Sequence, residues 1–252
     1  MSFEYVSVEE AVAHEGLRMV VVGGTPSPWG EAAKGVFHVK SIPWVATRLV
    51  YDQPALQTWA GQLTGPVAVF EREAPRSGWA EILLLAERLA PTPALLPSDP
   101  AERALAMGLC HELLGEGGLA YSRRLEAVHA GLNGAGGFAP KVAGYLAKKY
   151  GYTPQAGEAA QARVISLLGM FAGRLRDGAP YLVGDALTAA DIQLACCVGM
   201  FNPLPPEQCA MRESTRATFT WLDEATATAL DPALVAFRDR IYAEHLELPL
   251  SL

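Results

Sequence analysis

Cysteine is scarce in this chain: four in 252 residues, at Cys110, Cys196, Cys197 and Cys209, and none before residue 110. No two form a CxxC pair and none has metal-ligand spacing, which excludes a dithiol redox motif or a zinc ribbon. Cys196 and Cys197 sit side by side in an apolar run with helical character and read as small buried hydrophobes. Basic charge is also short. Twenty Lys and Arg face 27 Asp and Glu, a formal net charge of −7 at pH 7, which speaks against nucleic acid or an anionic membrane as partner. No apolar run is long enough to span a bilayer, and no basic-plus-apolar leader opens the chain, so the expectation is a soluble, cytoplasmic protein without a membrane partner. The glycine-rich run Gly131-Leu132-Asn133-Gly134-Ala135-Gly136-Gly137 lacks phosphate-loop spacing and a following Lys-Ser/Thr, which rules out nucleotide binding there; it reads as a loop, with a lid over a pocket as its functional form. Half the residues are hydrophobic, ample for a packed core.

The chain uses two grammars. Residues 17–90 alternate strand and helix patterns: strands at 17–23, 44–51 and 66–71, helices at 30–40, 54–63 and 79–89, and a hairpin through Arg72–Pro75 toward a brief fourth strand. That order predicts a mixed sheet with helices on its faces. A proline-rich connector follows, Ala90-Pro91-Thr92-Pro93-Ala94-Leu95-Leu96-Pro97-Ser98-Asp99-Pro100, with no period. Beyond it, 101–129, 137–150, 155–177, 189–200 and 231–245 all carry helical spacing. The expected architecture is an α/β domain over 1–90, a linker at 91–99 and an all-helical domain over 100–252. Residues 1–16 form an extension in which Ser7-Val8-Glu9-Glu10 fits a capping box for a short helix through Ala13.

The most informative stretch is Val20-Val21-Val22-Gly23-Gly24-Thr25-Pro26-Ser27-Pro28-Trp29-Gly30-Glu31. A β-branched strand meets two glycines, two prolines and two hydroxyls, and then a helix with an acidic first turn opens. The first amides of a helix have no intrahelical partner, and the dipole places partial positive charge there. A hydroxyl at that spot can donate to an anion, and a thiolate beside it would be stabilised twice. With no cysteine nearby, the sulfur must come from another molecule.

The chain resembles the glutathione transferase superfamily over about residues 17–245. Thr25-Pro26-Ser27-Pro28-Trp29 looks like the family's thiol-activating segment and is most similar to the zeta and bacterial etherase-like branches. Gly65-Pro66-Val67-Ala68-Val69 stands where the thioredoxin-like fold has a cis-proline before a strand. Leu187-Thr188-Ala189-Ala190-Asp191 resembles the helix-opening motif of the family's C-terminal domain, in which Thr188 caps and Asp191 reaches back to the cap's amide. One departure stands out. Where the family places a Glu-Ser pair for the γ-glutamyl end of glutathione, this chain has Ser77-Gly78.

The resemblance implies a thioredoxin-like N-terminal domain, an all-α C-terminal domain, glutathione as co-substrate without a metal, and a homodimer. Thr25 and Ser27 compete as the donor to the glutathione sulfur; the prolines on both sides of Ser27 favour it slightly. Gly65, Pro66, Ser77, Gly78 and Lys40 are the expected glutathione contacts, although Lys40 also fits a helix C-terminal cation. In the helical domain, Gly115, Gly117 and Gly118 predict a kinked helix or a close approach. Tyr121, Arg123 and Arg124, with Trp29, are the expected co-substrate contacts, Arg being suited to carboxylates; an Arg pair facing an acidic neighbour is the alternative. The leading expectation is an enzyme joining glutathione thiolate to a small hydrophobic or carboxylated electrophile. The second is a non-catalytic binding protein that kept the fold and lost tight glutathione binding.

Overall fold

The structure is a computed structural model and describes residues 3–252; residues 1–2 of the leading segment lie outside the described residues. Four strands form one mixed sheet: β1 (Glu4–Tyr5), β2 (Leu17–Val21), β3 (Trp44–Arg48) and β4 (Val67–Phe70), in the order β1-β3-β2-β4. β2 pairs parallel with β3, Met19 opposite Ala46, and antiparallel with β4, Met19 opposite Ala68. Every residue of β2 is buried, as a central strand covered on both faces requires. Its period of two sorts the side chains: Leu17, Met19 and Val21 enter the main core, and Val20 enters a smaller cluster with Val8, Leu56, Ala60 and Val67. Helices α1 (Val8–Ala13) and α3 (Pro54–Ala60) supply that smaller cluster, whereas α2 (Pro28–Val39) and α4 (Trp79–Leu89) pack on the opposite face.

The expected fourth strand is corrected. Arg76 exchanges both backbone bonds with Ala68, at 2.8 and 2.9 Å, but this is a single bridge. Pro75 has no N–H to donate, and Gly78 already caps α4, so no length remains for a strand. The sheet's fourth strand is instead β1, in the leading segment, which pairs parallel with β3 at the opposite edge. The capping box at Ser7 forms as expected: Ser7 Oγ accepts from Glu10 N, and Glu10 Oε2 accepts from Ser7 N.

Residues 91–99 carry no helix or strand. Beyond them lie α5 (Pro100–Leu114), α6 (Leu119–Leu132), α7 (Pro140–Lys149), α8 (Pro154–Arg174), α9 (Ala189–Val198), α10 (Glu213–Thr220), α11 (Glu224–Ala229) and α12 (Pro232–His245). The predicted helix over 101–129 is thus two helices. The chain leaves the helix at Gly115, and Gly118 lies so close to the end of α5 that a Cβ there would stand 2.8 Å from Glu112 O. The two short helices α10 and α11 have no counterpart in the sequence reading, being too brief to display a period.

Helix α9 is buried along its whole length and lies at the centre of the molecule, with α2, α5 and α12 against it. Its apolar character all round is what burial on every side demands, and Cys196 and Cys197 are buried there as small hydrophobes. The start of α9 carries the capping box. Asp191 accepts from Thr188 N and Thr188 Oγ1, each at 2.7 Å, and from Leu182 N at 2.7 Å. Asp191 is fully buried, and burial raises its pKa against the pull of those bonds. Replacing it removes three bonds and orphans two buried amides, so Asp191→Ala is expected to cost about 3 kcal/mol. A urea unfolding midpoint that does not move would contradict this.

Candidate functional site

A cavity of about 620 Å³ opens between the sheet-bearing half and the helices. Val22, Thr25, Ser27, Trp29, Thr64, Gly65, Pro66 and Ser77 form one wall. Leu114, Tyr121, Arg124, Phe138, Tyr150 and Phe219 form the other, with Tyr51, Tyr145 and Lys149 toward the mouth.

The first wall follows from the turn between β2 and α2. Gly24 takes φ +69°, in the left-handed region that glycine enters without steric cost. Ser27 N then donates to Thr25 O at 2.8 Å, and Glu31 N to Ser27 O at 2.8 Å, which sets both hydroxyl residues on one tight bend. Ser27 is the N-cap of α2, yet its hydroxyl makes no cap hydrogen bond. Pro28 at the first helical position has no N–H to offer. Ser27 is buried, lines the cavity, and leaves its hydroxyl uncommitted among the described residues. Capping, the usual role of a hydroxyl at the start of a helix, is thus not the role of this side chain. Thr25 also lines the cavity and is half-buried.

Gly65-Pro66 is a cis peptide, and Gly65 packs so tightly on β2 that a Cβ would stand 3.3 Å from Val22 N. Ser77 lines the cavity beside it. Gly78 does not: its amide donates to Glu81 Oε2 at 3.0 Å, so that donor already serves the start of α4. Lys40 is likewise corrected. Its side chain is 0% exposed and lies away from the cavity, with Nζ bonding Glu87 Oε1 at 2.6 Å and the carbonyls of Ala90 and Pro93 at 2.7 Å. Three acceptors match the three N–H bonds of an ammonium, so Lys40 fastens the connector to α2 and has no donor left for a ligand.

On the helical wall, Trp29 both packs and lines. Its Nε1 donates to Leu114 O at 2.8 Å, joining α2 to the end of α5 while one edge of the ring borders the cavity. Tyr121 contributes its ring, but its hydroxyl donates to Tyr150 O at 2.6 Å; burial raises its pKa, so it stays protonated near neutral pH. Arg123 is corrected. It turns away from the cavity into a buried ion pair with Glu126 at 2.8 Å and bonds the carbonyls of Trp221 and Met200. One residue along a helix is a rotation of about 100°, so Arg123 and Arg124 cannot share a face. Arg124 is the one on the cavity wall.

The glycine-rich run begins in the last turn of α6 and is exposed over 132–136, but its end is packed. Phe138 N donates to Ala127 O at 3.1 Å, and a Cβ on Gly137, whose φ is +70°, would stand 2.3 Å from that same oxygen. The run thus delivers Phe138 to the cavity wall, while none of residues 131–137 itself lines the cavity. Sequence reasoning missed Tyr51, Phe138, Tyr145 and Tyr150. Their rings come from three separate segments, and the one available signal was the density of tyrosine over 145–152. Tyr51 and Tyr145 meet edge-on across the mouth at 6.1 Å, and burial together with that partner pushes the Tyr51 pKa up to about 12.

Residues 154–240 match the family model for the glutathione S-transferase C-terminal domain. A glutathione S-transferase from Methylobacterium radiotolerans, crystallised with glutathione sulfonate, superposes with a TM-score of 0.61 at 20% identity, covering 90% of this chain and 91% of that one. The fold is that of the glutathione S-transferases. The β-etherase LigF from Sphingobium sp. strain SYK-6 superposes at 0.64 with 13% identity, covering 91% and 96%. A glutathione transferase family member from Pseudomonas fluorescens, with two glutathione bound, gives 0.63 at 14%, covering 91% and 89%. No curated protein matches the sequence. Among the described residues, no helix is long and apolar enough to cross a membrane.

The corrected place of Lys40 carries its own expectation. Lys40→Met removes three charge-assisted contacts, leaves Glu87 only the Leu95 amide and frees the connector, a loss of about 2 kcal/mol. The thermal midpoint should fall markedly, and an unchanged midpoint would show the contact to be dispensable.

Proposed function

We propose that this protein is a glutathione transferase-like enzyme, in which the bend at Thr25–Ser27 activates the thiol of glutathione for attack on a small hydrophobic or carboxylated electrophile. The observation that carries this reading is the Ser27 hydroxyl: buried, on the cavity wall, at the start of α2, and unused by the helix it caps. A hydroxyl that donates to a thiolate favours the charged form and lowers the thiol pKa. The dipole of the 12-residue helix α2 acts in the same direction. The thiolate is the nucleophile. Its sulfur lone pair forms the new carbon–sulfur bond as the bond from that carbon to the leaving group breaks; the leaving group departs with the electron pair and the thiol proton passes to solvent.

Glutathione lies along the first wall in this reading, with Gly65, Pro66 and Ser77 beside Thr25 and Ser27. The solved structures of similar fold that hold glutathione or its sulfonate support the assignment by likeness of fold. Tyr51, with its pKa near 12, is a neutral donor at the mouth and not a base. A second reading, a binding protein of the same fold, is favoured by one observation: Glu116 is the only carboxylate residue on the cavity wall among the described residues, and it lies on the helical side. The family's γ-glutamyl-binding Glu thus has no counterpart on the first wall.

Calorimetric titration with glutathione, combined with ultraviolet titration of the bound thiol, separates the two. The wild type should bind in the micromolar-to-millimolar range with a depressed thiol pKa. Ser27→Ala should retain binding, lose the depression and lower kcat/KM by about 100-fold, while Thr25→Ala has the smaller effect. The reverse order would transfer the role to Thr25. Absence of binding up to several millimolar would favour the binding-protein reading.

A further inference from the structure

Two adjacent arginines on α6 are both buried and differently partnered. Arg123 is 2% exposed and has Glu126 and two carbonyls for its guanidinium. Arg124 is 7% exposed and takes part in no ion pair or hydrogen bond among the described residues; its Nε is buried without a partner. Around it stand aromatic rings, with Phe138 at 5.4 Å, Trp29 at 5.9 Å and Tyr150 at 6.0 Å from the guanidinium carbon.

A buried cation without an anion is costly. Ring faces offset part of that cost through cation–π attraction, but they engage the flat of the guanidinium and leave its N–H edge without an acceptor. The edge is the part that recognises a planar carboxylate with two parallel bonds. Arg124 lines the large cavity, so an acceptor can reach it from there. The other charged residues on that wall, Glu116 and Lys149, are both exposed, and Arg124 is its one buried charge among the described residues. The surrounding surface of Leu114, Phe138, Tyr150 and Phe219 suits a flat apolar ring.

We propose that Arg124 is the anion-recognising residue of the co-substrate site, and that the co-substrate is a small aromatic electrophile bearing a carboxylate. This rests on the transferase reading for the reaction, but the recognition itself can be read without turnover. The aromatic cage holds the guanidinium in place, and the missing counter-ion is supplied by the substrate. A neutral analogue of the same shape leaves the cation unpaired and is rejected on that ground.

The test compares dinitrobenzoate with dinitrobenzamide as binding probes, and their para-chloro derivatives as substrates with glutathione. In the wild type the acid should bind about 10- to 100-fold tighter than the amide, the equivalent of one charge-assisted hydrogen-bonded contact, and kcat/KM should show the same preference. Arg124→Met should abolish the preference while leaving amide binding and the KM for glutathione within twofold; Arg124→Lys should keep part of it. Unchanged thermal unfolding of both variants separates this from misfolding. Equal binding of acid and amide by the wild type overturns the proposal. So does a preference that survives in Arg124→Met, or a loss that falls on glutathione instead of the acid. Arg124-dependent binding of the benzoate without turnover would leave this proposal standing and remove the transferase reading.

Discussion

The pocket exists because helix α2 is held against the helical half. Gly35 lets α2 approach α9 so closely that a methyl there would stand 2.9 Å from Ile192 Cγ2. Six residues earlier in the same helix, the Trp29 indole bonds the carbonyl that ends α5. At the other end, Lys40 binds the connector through two carbonyls and Glu87, and Leu95 O accepts from the first amide of α9 at 2.8 Å. The N-terminus of α2, and with it the Ser27 hydroxyl, thus faces α6 across a gap of set width. Loosening any of these contacts would change the distance between the two walls before it changed either wall.

Charge is distributed with the same economy. Two buried cations away from the cavity have partners: Lys40, at the end of α2, its carboxylate and carbonyls, and Arg123, on α6, its Glu126. Such pairs contribute little net stability, yet breaking one is severe, because the remaining charge stays buried. Arg124, enclosed by rings instead of acceptors, departs from that pattern, and it does so on the wall of the cavity. An unpaired buried cation is costly, and a ligand anion reaching it through the cavity would offset that cost. The uncommitted Ser27 hydroxyl on the facing wall follows the same logic: a polar group withheld from its usual structural role, here capping, and turned toward open space.

Much of the fold was legible because it rests on local rules. The helix over 79–89 was found at its observed limits, since its apolar spacing is strong and the preceding Gly78 supplies a start. The capping boxes at Ser7 and Thr188 were legible because both partners lie three residues apart in sequence. The edge strand at Glu4–Tyr5 was not, because two residues have no period, and only pairing with Val45 and Ala46 makes them a strand. The same limit applies to α10 and α11.

For the site, the sequence by itself determined the chemistry available: two hydroxyls between prolines at the start of a helix, a Gly-Pro before a strand, and no cysteine within reach. These are consequences of residue type and nearest neighbours. Tertiary structure decided which of those groups could act. It left the Ser27 hydroxyl at the cavity, sent Lys40 into the connector and turned Arg123 inward while leaving Arg124 at the cavity. It also assembled the aromatic cage from Trp29, Phe138 and Tyr150, which lie more than a hundred residues apart at the extremes. The physical reason is that a side chain's direction follows from its own backbone, whereas its partners follow from how distant segments pack.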